Sequence, residues 1–431
     1  MDNSFLSPKV GWRAGLVALS PVALFLCLYL LVSVIIGDFY KMPIAVALAV
    51  ASIWAVAIYR GHPLVKRIDT YSSAAAHTDI LYMIWVFVLA GAFAMLAKGI
   101  GSVDATVQAV VGIFPSRFLI PGIFLASCLI SMSVGTSVGT VVALTPLAVE
   151  MAQSTHAEVA VFVAAVLSGA FFGDNLSFIS DTTIAATRTQ GCSMRAKFRA
   201  NLLIVLPAAL ITLMFYIFSS GGLYTHPAED TSVEWMLMAP YLLIIILALM
   251  GINVTIVLTT GIVATYVIGL YYGMAPMEGV KLLGDGIDSM GNLIIITLMA
   301  AGMLGVVKAL GGIDFVLRCL TRHVSGSRGA QACIAVLTAI VNLCTANNTV
   351  AIITVGPISR EICRRYGVAP RKAASLLDTA SCITQCLIPY GAQTLLATAL
   401  AGISPAAPWP YLLYPWVLAV MVAISIVVRR K

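Results

Sequence analysis

Charge is what this sequence has little of. Only 10% of its 431 residues are Asp, Glu, Lys or Arg, against about 25% in soluble globular domains, which excludes an ordinary soluble fold. Histidine is scarce: His62, His77, His156, His226 and His323 fall in loops or at span ends and read as surface residues, none in metal-ligand spacing with a Cys or carboxylate. The nine cysteines show no metal-type spacing either, and Cys382 and Cys386, one helical turn apart, read as packing residues. No G-x-x-x-x-G-K-[ST] loop is present, so nothing marks ATP as an energy source. Strict polar–apolar alternation is missing, which removes an outer-membrane barrel.

What is there is apolar. Hydrophobic residues make up 60% of the chain and the mean hydropathy is +1.00. They fall in runs near the length needed to cross a bilayer as a helix. The expectation is an all-α polytopic membrane protein whose first partner is the lipid bilayer. The opening segment "MDNSFLSPKVGWRAG" leads into such a run without a small-residue cleavage site, so the run reads as a retained span.

Apolar segments lie near 16–36, 43–59, 80–97, 118–150, 157–190, 198–219, 236–250, 252–273, 291–310, 329–364, 371–402 and 409–428. Four of them are too long for one simple crossing and are interrupted midway. The breaks are "SVGTSVGT" (133–140), "GDNLSFISD" (173–181), "CTANNT" (344–349) and "QCLIPYGAQ" (385–393). Polar residues, Gly or Pro inside an apolar run signal a broken helix or a re-entrant loop. A shift of 211 positions superposes the first pair of breaks on the second without a gap: Pro146 falls on Pro357, Glu150 on Glu361, Thr183 on Thr394 and Thr187 on Thr398. The chain therefore reads as two repeats, 1–220 and 221–431, each with five spans and one hairpin (118–150 and 329–364) and with broken spans at 157–190 and 371–402.

Five full crossings per repeat is an odd number, so the second repeat is expected inverted. Lysine and arginine agree. With the N-terminus inside, 21 of the 25 fall on the inner side, and only Lys41, Lys98, Arg117 and Lys281 fall outside. The net charge of +7 is thus explained by topology and is no sign of nucleic-acid binding. Both termini are expected to be cytoplasmic. Hairpins that fully cross twice preserve the same count as re-entrant ones.

The breaks hold the candidate site. "FFGDNLSFISDTT" (171–183) carries Asp174, Asn175, Ser177, Ser180, Asp181, Thr182 and Thr183. A charged Asp at a helix centre costs about 2.5–3.5 kcal/mol on insertion scales, and neither Asp has an obvious basic partner in sequence. Clustered carboxylate, amide and hydroxyl oxygens suit a hard cation such as Na+, with Asp174 and Asp181 as its charged ligands. The competing reading is an interfacial loop with ordinary helix caps. Depth argues against it, since Asp181 lies seven residues before the inner cluster Arg188–Arg199, about 10 Å along a helix. The hairpin tips offer Ser133, Thr136, Ser137 and Thr140 in the first repeat and Asn347, Asn348 and Thr349 in the second. Gly135 and Gly139 fit either a binding loop or a close-packing G-x-x-x-G pair. Asp378 is either a site member or a carboxylate capped by Ser375 and Ser381. Gln385, Gln393 and Thr394 are the uncharged counterparts of Asp174, Thr182 and Thr183, so one arm is acidic and the other amide-bearing, fit to hold a cation and a solute. Asp285 and Asp288 read as the solvated face of an interfacial helix.

The run G-D-N-x-S-x-x-S-D-T-T at Gly173–Thr183, with "ANNTVAIITVGPIS" from Ala346, resembles the NhaC family of sodium/proton antiporters within the ion-transporter superfamily. The resemblance covers nearly the whole chain and is strongest at 168–191 and 342–402. It implies bacterial inner-membrane transport, an elevator-like arrangement of scaffold and mobile domain with two re-entrant hairpins, coupling to Na+ or H+, and dimerisation through the scaffold. Some members of that family carry organic acids or amino acids. The expected activity is Na+/H+ exchange, in which cation and proton compete for Asp174 and Asp181. No cofactor is expected beyond the transported ions. The rival is a Na+- or H+-coupled transporter or exchanger of a small organic solute, an amino acid or a hydroxy or dicarboxylic acid, with its carboxylate held at Asn347–Thr349. A membrane protease is disfavoured, because Phe171 stands where the G-x-G-D motif needs its first Gly, and no selectivity filter marks a channel.

Overall fold

The computed structural model describes residues 11–36, 43–113, 115–177, 180–220, 234–250, 252–321 and 324–428. Both termini, most of the loop 221–235, His226 and His323 lie outside the described residues. Every regular element described is a helix. The first half contains α1 (Trp12–Ile36), α2 (Ile44–Ile58), α3 (Leu64–Ala75), α4 (Thr78–Gly99), α5 (Ser102–Ile113), α6 (Leu119–Val134), α7 (Ser137–Ser154), α8 (Val159–Leu176), α9 (Asp181–Gln190) and α10 (Met194–Ser219). The second contains α11 (Trp235–Leu249), α12 (Val254–Tyr271), α13 (Pro276–Ser289), α14 (Gly291–Ala309), α15 (Gly312–Thr321), α16 (Gly326–Thr345), α17 (Asn348–Tyr366), α18 (Pro370–Leu387), α19 (Ala392–Ala401) and α20 (Leu413–Val427). Several are long and apolar enough to cross a membrane, among them Ile80–Gly99, Met194–Ser219 and Val254–Tyr271.

The four interrupted segments each become two helices. Between α6 and α7, Gly135 takes a left-handed conformation at φ 73° and Thr136 an extended one at φ −148°. Between α16 and α17, Ala346 and Asn347 do the same at φ 48° and φ −146°. Each left-handed residue donates its N–H back into the helix it ends, Gly135 to Ser131 O and Ala346 to Asn342 O. The spans α8 and α18 end at Leu176 and Leu387, and α9 and α19 run 181–190 and 392–401. All of these bounds differ by 211. Ala346 occupies a conformation that glycine holds without strain. Ala346→Gly should therefore stabilise the protein by about 0.5 kcal/mol and Gly135→Ala should cost about 1 kcal/mol, read as opposite shifts of Tm in detergent.

The broken span sits at the centre of the protein. In α8 every residue from Phe162 to Leu176 is buried, and in α18 every residue from Ala373 to Cys382. Backbones approach closely wherever small residues face each other. Gly169 and Gly173 of α8 lie against the α6 backbone, and Gly91 of α4 meets Gly286 of α13. Gly302 and Gly305 of α14 receive Tyr71 and Ala74 of α3. Helices α3 and α5 fall outside the apolar segments of the sequence: each is only 12 residues long, too short to register as a span. On α13, Asp285 and Asp288 are exposed.

Candidate functional site

Four helix N-termini and four breaks converge on one cavity of about 120 Å³. Its lining includes Thr136 and Ser137 at the start of α7, Asp181 and Thr182 at the start of α9, Asn348 and Thr349 at the start of α17, and Gln393 at the start of α19. Asp174 from the last turn of α8 and Gln385 from the last turn of α18 complete the wall, with Asn347 between α16 and α17. The N-terminal ends of four helices bring partial positive charge to this point. That arrangement favours a negative group in the cavity, and Asp174 is the buried one.

Asp174 is 5% exposed. Ser137 donates its hydroxyl to Asp174 Oδ2 at 2.9 Å, and Ser180 donates to Oδ1 at 2.8 Å. Thr182 stands 2.6 Å from Ser180 Oγ and 3.5 Å from Asp174 Oδ1. Ser180 also caps α9, accepting from Thr183 N. Asp174 therefore meets only hydroxyl donors and helix dipoles, and no basic side chain contacts it among the described residues. Asp181 faces the same cavity but is exposed. The two carboxylates predicted to act as equals thus differ: one is desolvated and the other remains wetted.

The amide arm reaches the same cavity. Gln385 Nε2 donates to Ala346 O at 3.0 Å and to Gln393 Oε1 at 3.1 Å. Gln393 Nε2 donates to Ser137 Oγ at 3.0 Å, and Ser137 passes its proton donor on to Asp174. A continuous hydrogen-bond chain thus runs from the second hairpin tip to the first-half carboxylate. Asn347 is used as the cap of α17, accepting from Val350 N at 3.0 Å. Asn348 keeps a buried side-chain oxygen without a hydrogen-bond partner among the described residues, and so does Gln385. Both are free to accept from a ligand.

Other predicted residues lie elsewhere. Ser133 donates to Leu129 O within its own helix and does not line the cavity. Ser177 donates to Met132 O. Thr394 is fully buried, its hydroxyl unpartnered among the described residues. Asn175 points away from the cavity, and its side-chain and main-chain oxygens both accept from Asn201 of α10. Gly135 serves as the left-handed end of α6 and also lines the cavity.

Asp378 requires a correction. Neither Ser375 nor Ser381 caps its carboxylate: Ser381 Oγ donates to the Asp378 main-chain carbonyl, and Ser375 Oγ has no hydrogen-bond partner among the described residues. Its partners are Lys197, with which it forms a salt bridge, the two side chains 0% and 1% exposed, and Asn201, whose Nδ2 donates to Asp378 Oδ2 at 3.4 Å. The sequence places Lys197 inside the positive cluster Arg188–Arg199, as one more cytoplasmic charge. The structure turns it inward, where it also donates to Asn175 O at 2.6 Å and Thr183 Oγ1 at 2.7 Å. Helical period was the available signal. Lys197 and Asn201 fall on the same stripe of α10 as Ile204, Val205, Ala208 and Thr212, all buried.

Comparison with known proteins places the chain. The pattern of the Na+/H+ antiporter family matches residues 14–221 and 227–429. The malate-2H+/Na+-lactate antiporter of Bacillus subtilis (strain 168) is 22% identical over 424 residues, spanning 90% of this chain and 89% of that protein. The Na+/H+ antiporter NhaC of the same organism is 23% identical over 334 residues, 69% of this chain and 73% of its own. The Na+/H+ antiporter NhaC of Alkalihalophilus pseudofirmus is 26% identical over 277 residues, with 57% and 60% covered.

Proposed function

Since this chain belongs to the Na+/H+ antiporter family, we propose that it exchanges Na+ for H+ by secondary active transport, with Asp174 as the group for which the two cations compete. The observation that carries this is the position of Asp174, buried yet lining the cavity, with hydroxyl donors on both carboxylate oxygens. Burial favours the protonated acid, and a bound cation favours the carboxylate. A proton and a Na+ therefore exclude one another at the same oxygens. Ser137 and Thr182 supply neutral oxygens beside Asp174, and Asp181 supplies negative potential at the mouth, where water screens it.

Competition becomes transport if the loaded site faces each side in turn. The proposed device is a pair of inverted repeats, 1–220 and 221–431, whose hairpins α6–α7 and α16–α17 are re-entrant and whose α8–α9 and α18–α19 are broken spans in a mobile domain. The offset of 211 shared by the helix bounds that flank the breaks supports this reading, as does the inner-side excess of lysine and arginine. On the same reading the protein lies in the bacterial inner membrane with both termini cytoplasmic, and it pairs with a second copy through its scaffold.

The test is exchange in proteoliposomes carrying a pH-sensitive dye. Na+ added against a preset pH gradient should dissipate it, and K+ should do so far less. A preparation in which no cation moves protons rules the reading out. Asp181→Asn should slow exchange by less than about tenfold, because a solvated charge is screened. Ser137→Ala removes a hydrogen bond to a charged group and should raise the Na+ concentration for half-maximal exchange about tenfold.

A second reading is a cation-coupled carrier of a small carboxylic acid. The unpartnered Asn348 oxygen and the N-terminus of α17 in the cavity wall favour it, and the B. subtilis relative named for malate and lactate is matched over 90% of this chain and 89% of its own length. Thermal stabilisation of the purified protein by a panel of such acids, dependent on Na+, would single it out. Stabilisation by Na+ alone, indifferent to the panel, would return the choice to cation exchange.

A further inference from the structure

The exchange reading leaves one buried charge pair unused, and it lies directly behind the site. Lys197 is 1% exposed, yet all three of its ammonium donors are taken. They go to Asp378, to Asn175 O and to Thr183 Oγ1. The main-chain carbonyl of Asn175 belongs to the residue after Asp174, and Thr183 follows Thr182, so Lys197 ties both ends of the α8–α9 break to α18. Asp378 does not line the cavity. Between it and the cavity stand Cys382, whose Sγ is 3.9 Å from Asp378 Oδ1, and Asn348, whose Nδ2 is 3.9 Å from that sulfur. Gln385, which does line the cavity, is seven residues further along α18, about 10 Å on.

The charges can be counted. Among the described residues the buried charged side chains are Asp174, Asp378 and Lys197, two negative and one positive. An uncompensated charge in such a core is strongly disfavoured. One further positive charge neutralises this set, and of its two carboxylates Asp174 is the one that lines the cavity.

We infer that Lys197 is a resident cation of the transport site, which occupies Asp378 permanently and so limits the site to one exchangeable cation at Asp174. Lys197 is a positioning and specificity-determining residue, since it touches neither Na+ nor the transferred proton. The inference rests on the exchange reading and adds a stoichiometry to it. One Na+ is taken up for one H+ released, because the buried core is neutral with either aboard.

The experiment is equilibrium binding of radioactive Na+ to the purified full-length protein, with proton competition, across a charge series. Wild type should saturate at one Na+ per chain with a Hill coefficient near one. Asp378→Asn leaves Lys197 unmatched, brings the core charge to zero without an ion, and should weaken Na+ binding by at least about tenfold. Adding Lys197→Met to Asp378→Asn restores one net negative charge and should bring affinity back to within about threefold of wild type. Lys197→Met alone leaves two open carboxylates, and its Hill coefficient should rise toward two. Both single variants break the buried pair and are exposed to misfolding, and the comparison of Asp378→Asn with the double variant decides. A double variant that binds no better than Asp378→Asn overturns the inference. Should Asp378→Asn fail to fold, wild-type stoichiometry decides alone: one Na+ per chain upholds it and two overturn it. Wild type that binds no proton-displaceable Na+ fails the exchange reading itself, a result distinct from a wild type that binds Na+ beside a flat charge series.

Discussion

Asp174→Asn abolishes Na+/H+ exchange in a protein that still folds. Asparagine fills nearly the same volume. Its oxygen accepts from Ser180, and its amide finds the lone pairs of Ser137 Oγ, so both hydroxyls now at 2.8 and 2.9 Å keep a partner. What is lost is the charge. Among the described residues Asp174 is the one carboxylate both buried and in the cavity wall. Its removal forfeits an ionic contact worth about 3 kcal/mol, a loss of at least about a hundredfold in exchange. Thermal unfolding of the variant should match wild type or exceed it, because a desolvated carboxylate has been removed. The pairing of unchanged Tm with lost exchange separates a transport defect from a folding defect. Exchange that survives Asp174→Asn, with Na+ still displacing protons, removes Asp174 from its role and returns attention to Asp181.

How far this was legible in the sequence depends on the distance over which each contact acts. The four breaks were readable because Gly135, Asn347, Ser177 and Gly391 interrupt apolar runs where continuous helix is otherwise expected, and helix bounds in the structure fall at those places. Asp174 was readable as a misfit because a carboxylate there has no local reason to exist. The particular contacts that join the two arms were not. Gln393 reaches Ser137 across 256 positions, and nothing in either segment alone names the other. The polarity of Gln385 and Gln393 suggested an arm fit to hold a solute beside the acidic one, and their geometry links both amides into a chain leading to Asp174. Lys197 was misplaced for a different reason. Counting loop charges assigns each basic residue to a side by its neighbours, and Arg195 and Arg199 flank it. Helical spacing separates them: Lys197 turns with Asn201 toward the core while Arg195 stays exposed. The test by period outranks the test by composition once a helix is known to begin at Met194.

Gly173→Ala should unfold the site that its neighbour occupies. Alanine is ordinarily the better helix residue by about 1 kcal/mol, so any loss must come from packing. A Cβ at Gly173 would lie 2.4 Å from Ser131 Cβ, 2.5 Å from Met132 N and 2.7 Å from Cys128 O. Two of those atoms are backbone and cannot turn aside, so α8 must move away from α6 as a body. Overpacking of this kind costs about 3 kcal/mol at the upper end of its usual range. The displacement also reaches the chemistry. Asp174 follows Gly173 directly, and Ser137 is held on the helix that continues from α6 through the Gly135 turn. Prying α8 from α6 therefore lengthens the Ser137–Asp174 hydrogen bond as it loosens the core. The expected result is a lowered Tm together with exchange reduced by at least about tenfold. Gly122 of α6 supplies the control, because a Cβ there meets nothing within 4 Å. Gly122→Ala should leave both measurements where they were. If the two substitutions behave alike, helix contact at Gly173 does not hold Asp174 in place, and the closeness of α6 and α8 has no bearing on exchange.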